Sequence, residues 1–479
     1  MAASAASQRH NAPRVHGLAF GMEAALTARV TAPRIIVAGA TTAVTRRCTM
    51  RKAFLGPWHP GVEQAWLYSL ALAQQHTGVA IHHGVRVVNH HHLTVTPEHD
   101  NLPRFLAIAH HELSCAINTL LAWERYDQPG ELFDGRATHL MRLGDDAAQS
   151  TQLLYEYLNP VAAGLVRHPE HMPGLTLDFD LWLRGGLDVE RPAFYFSDKQ
   201  PPVLRLHVTP PPLLYLAFGG DMDKLVYSMK RLAEQGAREL RSCHTRPVVG
   251  ARALMRLHPW SEPRTLRETR GKRVPSFRIG ARGIVGRQAH IEAALETRRF
   301  RDNYRECRLA RKAGDFEQVF PCGTYQLRVV HGVPVAEPEL GTGLLTRPGP
   351  TLRDVQAMLA QRAERGLEPP AAEARLELVD RAREAVLHEA AELCEQASDG
   401  MDFKSSTEGQ QATRPPAAEP PQQGGEELGD RQGRPAAVVG HRFGKRPEGG
   451  AGGPQRVVTL RDRRRGRPKG SRHGSDPPA

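Results

Sequence analysis

Val79-Ala80-Ile81-His82-His83-Gly84-Val85-Arg86-Val87-Val88-Asn89-His90-His91-His92-Leu93-Thr94-Val95-Thr96 is the stretch on which the fold turns. β-branched residues dominate it, and such side chains suit the pleated surface of a strand. Gly84 offers a place to turn, so the stretch reads as a strand or hairpin. Residues two apart on a strand share a face, with Cα atoms about 6.5–7 Å apart. His90 and His92 therefore project together, and His91 points away. Two neutral imidazoles side by side can share a divalent metal. In a chain with 23 histidines, a His-rich strand that binds nothing fits that spacing equally well.

The pattern on either side sets the fold class. Upstream, Ile35-Ile36-Val37 and Ala43 to Thr49 give a first strand between Arg34 and Met50. A helix follows from Val62 to His76, with Val62, Ala65, Trp66, Leu70 and Ala73 at helical spacing. Downstream, Asn101 as cap and Pro103 in the first turn open a second helix that runs to Trp123. Leu132 to Leu143 holds another strand. Asp145 and Asp146, acids favoured at a helix start, precede a third helix from Ala147 to Leu158, interrupted at Pro160 and ending near Gly164. The order β-α-β-β-α-β-α implies an α+β fold, an antiparallel sheet with helices packed on it.

At 479 residues the chain has room for two or three domains. It divides into a leader (1–33), the α+β region (34–168), a connector with a helix at Met222–Leu240 (169–260), a basic accessory region (261–335), a helical segment (336–397) and a Pro-, Gly- and Gln-rich tail read as disordered (398–479). In the basic region a helix carries Phe300, Tyr304 and Leu309 among arginines, and Val319 to Val335 reads as a small strand pair. Helices are expected at Leu352–Ala363 and Ala371–Ala397. The net charge of +12 is concentrated: 15 basic against 6 acidic residues from Glu262 to Lys312, and 8 against 1 from Arg456 to Arg472. Such clustering suggests a polyanionic partner. Six scattered cysteines without a C-x-x-C pair argue against a disulfide framework or a zinc ribbon. No apolar run reaches the roughly 20 residues of a bilayer span, so a soluble intracellular protein is expected.

Chemistry gathers at Tyr155-Glu156-Tyr157-Leu158-Asn159-Pro160. Tyr155 and Asn159, four apart, share a helix face. Two imidazoles and an amide oxygen would leave positions open on a Mg or Mn ion for phosphate oxygen and water. Such an ion polarises a phosphate, and a neighbouring tyrosine can act as nucleophile. Tyr157 is the rival, on another helix face.

Asn-His-His-His-Leu (89–93), followed by Tyr-x-x-x-Asn-Pro-Val-Ala-Ala-Gly-Leu-Val (155–166), resembles the single-tyrosine HUH transposases, in particular the REP-associated, IS-like transposases of bacteria. Val44-Thr45-Arg46-Arg47-Cys48-Thr49 resembles their opening strand, and Val319 to Tyr325 an extension of their long members. The resemblance covers residues 34–168. It implies an HUH, ferredoxin-like catalytic domain with His90, His92 and Asn159 as metal ligands and Tyr155 as nucleophile. Asn159 stands where relatives can use a glutamine, and His91 where the middle residue is usually hydrophobic or aromatic. The implied reaction is cleavage and rejoining of single-stranded or hairpin DNA through a 5′-phosphotyrosine, in a bacterial cytoplasm near the nucleoid, by a monomer or homodimer. Arg46 and Arg47 are candidate DNA contacts.

His110-His111-Glu112-Leu113-Ser114-Cys115 resembles a zincin helix but has Cys115 where the second histidine belongs. His82 and His83 are expected to cap a strand or turn. In the tail, Arg463-Arg464-Arg465-Gly466-Arg467-Pro468-Lys469-Gly470 resembles an AT-hook. Its Arg465 and Arg467 would enter the minor groove of an A/T-rich duplex. The alternative function is a domesticated relative that binds DNA hairpins without cutting. A replication initiator or relaxase is disfavoured, because the helicase and paired-tyrosine features are missing.

Overall fold

The computed structural model describes residues 33–135, 138–174, 176–244, 246–262, 275–338 and 343–367, all within one compact unit, 1–411. The leader to residue 32, the helix expected at 371–397, and the tail with Arg465 and Arg467 lie outside the described residues.

The fold is α+β. Its central sheet has five strands in the order β2-β3-β1-β4-β7. β1 (Thr42–Arg47) pairs antiparallel with β3 (His90–Thr96), setting Thr45 opposite His92 and Arg47 opposite His90. β2 (Ala80–Arg86) flanks β3, and β4 (His139–Leu143) flanks β1, both antiparallel. The expected all-antiparallel sheet needs a correction at its edge. A short strand from the basic region, β7 (Phe277–Arg278), adds parallel to β4. Asp145 fastens this addition, because its carboxylate accepts the backbone N–H groups of Gly280 and Ala281 as well as that of Ala148.

The hairpin turns at residues 87–89, where Val87 N–H donates to His90 O at 2.9 Å, and not at Gly84. Gly84 lies inside β2 opposite Leu93. A Cβ there would sit 2.8 Å from Leu93 Cδ2 and 3.2 Å from both Leu177 Cδ1 and Trp66 Cη2. Close packing excludes a side chain at this position.

Three helices cover the sheet. α1 (Pro60–Thr77) starts with Pro60 in its first turn and ends at Gly78, whose φ of 69° suits a helix C-cap. α2 (Leu102–Trp123) starts at Asn101, but that side chain donates to Thr77 O at 2.6 Å instead of capping the helix. By length and composition alone α2 could cross a membrane. Here Leu102, Phe105, Leu113, Ile117 and Leu120 join the main core with Trp66, Tyr68 and Phe54. α3 (Asp146–Ala162) is capped by Asp145 and runs through Pro160 for two further residues before Gly164 takes φ 65°. Trp66 of α1 and His110 of α2 meet His91 on one face of the sheet. Glu156 of α3 meets Thr94 on the other.

The connector adds α4 (Asp180–Arg184), a β5 (Leu187–Glu190)–β6 (Val203–Leu206) pair, α5 (Pro212–Ala217), α6 (Met222–Cys243) and α7 (Ala251–Met255). The basic region supplies α8 (Gly283–Lys312). The strand pair expected within Val319–Val335 is instead a helix, α9 (Tyr325–His331), joined by one bridge between Phe320 and Val335. Gly332, at φ 61°, closes α9 with its N–H on the Arg328 and Leu327 carbonyls. That local cap outweighs the β-propensity of Val329 and Val330, which are 55% and 63% exposed. α10 (Leu352–Glu364) opens with a Thr351–Asp354 capping box. The five cysteines among the described residues are free.

Candidate functional site

α3 runs along β3 from its Thr96 end towards its His90 end. Gln149 donates to Thr41, which is bonded to Thr96. Glu156 lies on Thr94, and the Tyr155 ring stands 5.8 Å from that of His92, edge to face. Asn159, one turn beyond Tyr155, follows in the same direction.

The rings of His90 and His92 are 4.8 Å apart. Asn89 Oδ1, an acceptor, takes the Nδ1 proton of His90 at 2.7 Å, which leaves His90 Nε2 with its lone pair. Thr45 Oγ1 holds His92 Nδ1 at 2.9 Å. His92 Nε2 and Asn159 Oδ1 are both buried without a hydrogen-bond partner. Buried polar atoms are nearly always paired, so two orphans on facing elements call for an occupant. Burial, the neighbouring imidazole and Arg47 hold His90 well below its usual pKa. Burial is also the main reason His92 falls to about 4. Both rings are thus kept neutral, the form that binds metals. Among the described residues no group of three or more His, Cys, Asp or Glu side chains could hold an ion. A metal here would need the Asn159 amide, and the donor set of two imidazoles and one amide oxygen fits a divalent ion.

The two tyrosines of α3 differ sharply. Tyr155 is half-buried beside His92. Tyr157 is 5% exposed and packs between Phe179 at 5.0 Å and His83 at 6.0 Å. Burial and nearby carboxylates push its phenol well above the usual range. Between them Glu156, fully buried, accepts from Thr94 Oγ1 at 3.0 Å, Gln152 Nε2 at 2.9 Å and His83 Nδ1 at 3.1 Å. His82 and His83, expected to cap a strand or turn, are instead buried in mid-strand. A β-bulge between Ile81 and His83 shifts the register there.

His82 shows how such rings are kept neutral. Thr209 O can only accept, so His82 Nδ1 donates to it at 2.8 Å, and His82 Nε2 takes the Thr96 hydroxyl at 2.7 Å. Burial lowers its pKa to about 4. An unfolded histidine titrates near 6.5. The stabilisation from a neutral His82 is therefore complete above about pH 6.5 and lost as pH falls towards 4, roughly 3 kcal/mol in all. Urea unfolding between pH 7 and 4.5 is expected to follow this slope, and His82→Gln to flatten it by about one proton. An unaltered slope in the variant would show that other groups carry the acid sensitivity. On the other face, Trp66 Nε1 can only donate, to His91 Nδ1 at 3.2 Å. His91 Nε2 therefore carries the proton and donates to His110 at 3.2 Å.

The two β1 arginines separate. Arg47 is exposed, and by register shares the face of His90. Arg46 points to the opposite face, its guanidinium 5.4 Å from the centre of the Phe133 ring. A residue that the sequence reading missed is Arg51, whose charge presses on His90. It follows Met50 in a turn where both non-glycine residues take left-handed φ, 51° and 54°. Such backbone costs of order 1 kcal/mol per residue or more and clusters at functional sites. Asn89 Nδ2 donates to Arg51 O at 3.1 Å, tying the turn to the histidine strand. A left-handed Met-Arg pair leaves no trace in the sequence.

No family model and no curated protein matches the chain. Among solved structures it is similar to that of a REP-associated tyrosine transposase bound to a REP hairpin, at 14% identity and a TM-score of 0.27, over 37% of this chain and 98% of that one. So slight a likeness decides nothing about function; the residues must carry it.

Proposed function

We propose that the chain is a transposase-type DNA strand transferase that cuts and rejoins single-stranded, hairpin-forming DNA with Tyr155 as nucleophile. The observation that carries this reading is the pair of unpartnered buried atoms, His92 Nε2 and Asn159 Oδ1, beside His90 and Tyr155. With the motif order of the sequence, this favours phosphate chemistry over a strand that is merely rich in histidine. His90, His92 and Asn159 would hold Mg or Mn, which supplies Lewis-acid polarisation of the scissile phosphate. Tyr155 Oη bonds to phosphorus and gives up its proton to solvent. The bond from phosphorus to the 3′ oxygen breaks, and that oxygen takes a proton from solvent and leaves as a 3′-hydroxyl. Attack by a 3′-hydroxyl on the phosphotyrosine reverses the step, so joining needs no external energy source. Arg47 and Arg51 lie where they would attract the backbone.

The test is incubation with single-stranded hairpin DNA and either Mg or Mn, followed by a denaturing gel. A covalent adduct is expected, lost with chelator and greatly reduced in His92→Ala. DNA bound tightly with no adduct under any metal would replace this reading with that of a non-cutting hairpin binder.

A further inference from the structure

A cavity of about 310 Å3 lies apart from Tyr155, walled by β4, α8 and the chain at 33–36. Leu140 and Arg142 of β4 open into it. The alternate residues Met141 and Leu143 pack instead with Ala43 and with Ala148 of α3. The cavity therefore sits mainly on the sheet face away from α3.

Arg34, Arg142 and Arg301 line it together with His139, and no carboxylate does. The Nε atoms of Arg142 and Arg301 are buried without a partner. Glu296 lies close enough to Arg142 to offset part of its charge. Its oxygens are already occupied, however, by the backbone N–H groups of Leu344, Leu345 and Thr346. Phe300, 4% exposed, and Leu140 supply an apolar wall. Arg34 is exposed and Arg142 and Arg301 are half-buried, so their guanidinium groups form a cationic mouth that attracts an anion, and the apolar wall suits a flat ring attached to it. The volume is at the small end of ligand pockets, roughly 300–1,000 Å3, which suits one nucleotide and excludes a duplex.

We propose that this cavity receives a single nucleotide unit, its phosphate among Arg34, Arg142 and Arg301 and its base against Phe300 and Leu140. For the source of that nucleotide, a single strand, the assignment rests on the function proposed above. The cavity would hold one unpaired position of the strand while another is cut at Tyr155, a second grip supplied by the basic region itself.

The test uses the full chain and a fluorescent single-stranded oligonucleotide, with affinity read across salt concentrations. Arg142 is left in place because it also donates to Leu345 O and Arg347 O. Arg34→Gln/Arg301→Gln is expected to bind about tenfold more weakly, with a salt slope shallower by about 0.7 for each phosphate left without its arginine. Deoxyadenosine monophosphate should weaken oligonucleotide binding to the wild type by up to that tenfold and leave the double variant's affinity unchanged. Unchanged affinity and slope would overturn the proposal, and equal competition by inorganic phosphate would overturn the nucleotide assignment. If the wild type shows this binding but no adduct, strand transfer falls and the cavity stands. If the adduct forms and the double variant binds normally, the cavity alone falls.

Discussion

Tyr155→Phe is expected to abolish the covalent DNA adduct, by three orders of magnitude or more, roughly the scale of removing a nucleophile. Tyr157→Phe should leave it intact. The contrast follows from where α3 puts the two rings. Tyr155 is half-buried, with its ring against that of His92, whose Nε2 has no other partner. Tyr157 is held under the sheet by Phe179 and His83, and its phenol is pushed upwards by burial and by Asp178, Glu170 and Asp180. A phenol that resists losing its proton and has no path to a DNA phosphate cannot attack one. Far-UV dichroism and thermal unfolding should be nearly unchanged in both variants, since each loses a single hydroxyl. An adduct that survives Tyr155→Phe and disappears with Tyr157→Phe would reverse the assignment.

Much of this arrangement could be read from the sequence, and the rest could not, for physical reasons. The period-two pattern from His90 to Thr96 and the helical spacing of Tyr155 and Asn159 are local properties, so they gave both elements and the faces their side chains use. The β-α-β-β-α-β-α order followed from the same local signals. Gly84 misled because the reason for a glycine there is tertiary: Leu93, Leu177 and Trp66 occupy the space. β7 is two residues long and pairs with a strand more than 130 positions away, and no pattern that short is visible in a chain. His82 and His83 read as caps of a strand or turn, because nothing near them in the chain could satisfy a buried imidazole. They are buried because Thr96, Thr209 and Glu156 satisfy them from distant parts of the chain. Glu156 is buried for the same reason, satisfied by Thr94 and His83 of the sheet.

Glu156→Leu is expected to cost about 3–5 kcal/mol of stability, the scale for removing one side of a buried, hydrogen-bonded polar cluster. The carboxylate is fully buried and accepts from Thr94, Gln152 and His83. Leucine would leave three donors buried with no acceptor, and each unmet donor costs roughly 1–3 kcal/mol. The loss should appear as a lower urea midpoint at unchanged m-value. Glu156→Gln keeps the shape and one acceptor, so its cost should be smaller, about 1–2 kcal/mol. The stronger test is Glu156→Leu/His83→Phe. Phenylalanine at 83 would meet Tyr157 and Phe179, rings already around the imidazole. Replacing both members of a buried pair by apolar groups is often close to neutral, so the double variant should recover at least about 1 kcal/mol over Glu156→Leu alone. A strictly additive double variant would mean that His83 and Glu156 do not depend on each other. Recovery has a further consequence for the site. Glu156 holds α3 against Thr94 of β3, the strand that carries His90 and His92, and Tyr155 and Asn159 take their positions from the same helix. A double variant that regains stability but cuts DNA more slowly than the wild type would identify this carboxylate as the pin that sets Tyr155 over the histidine pair.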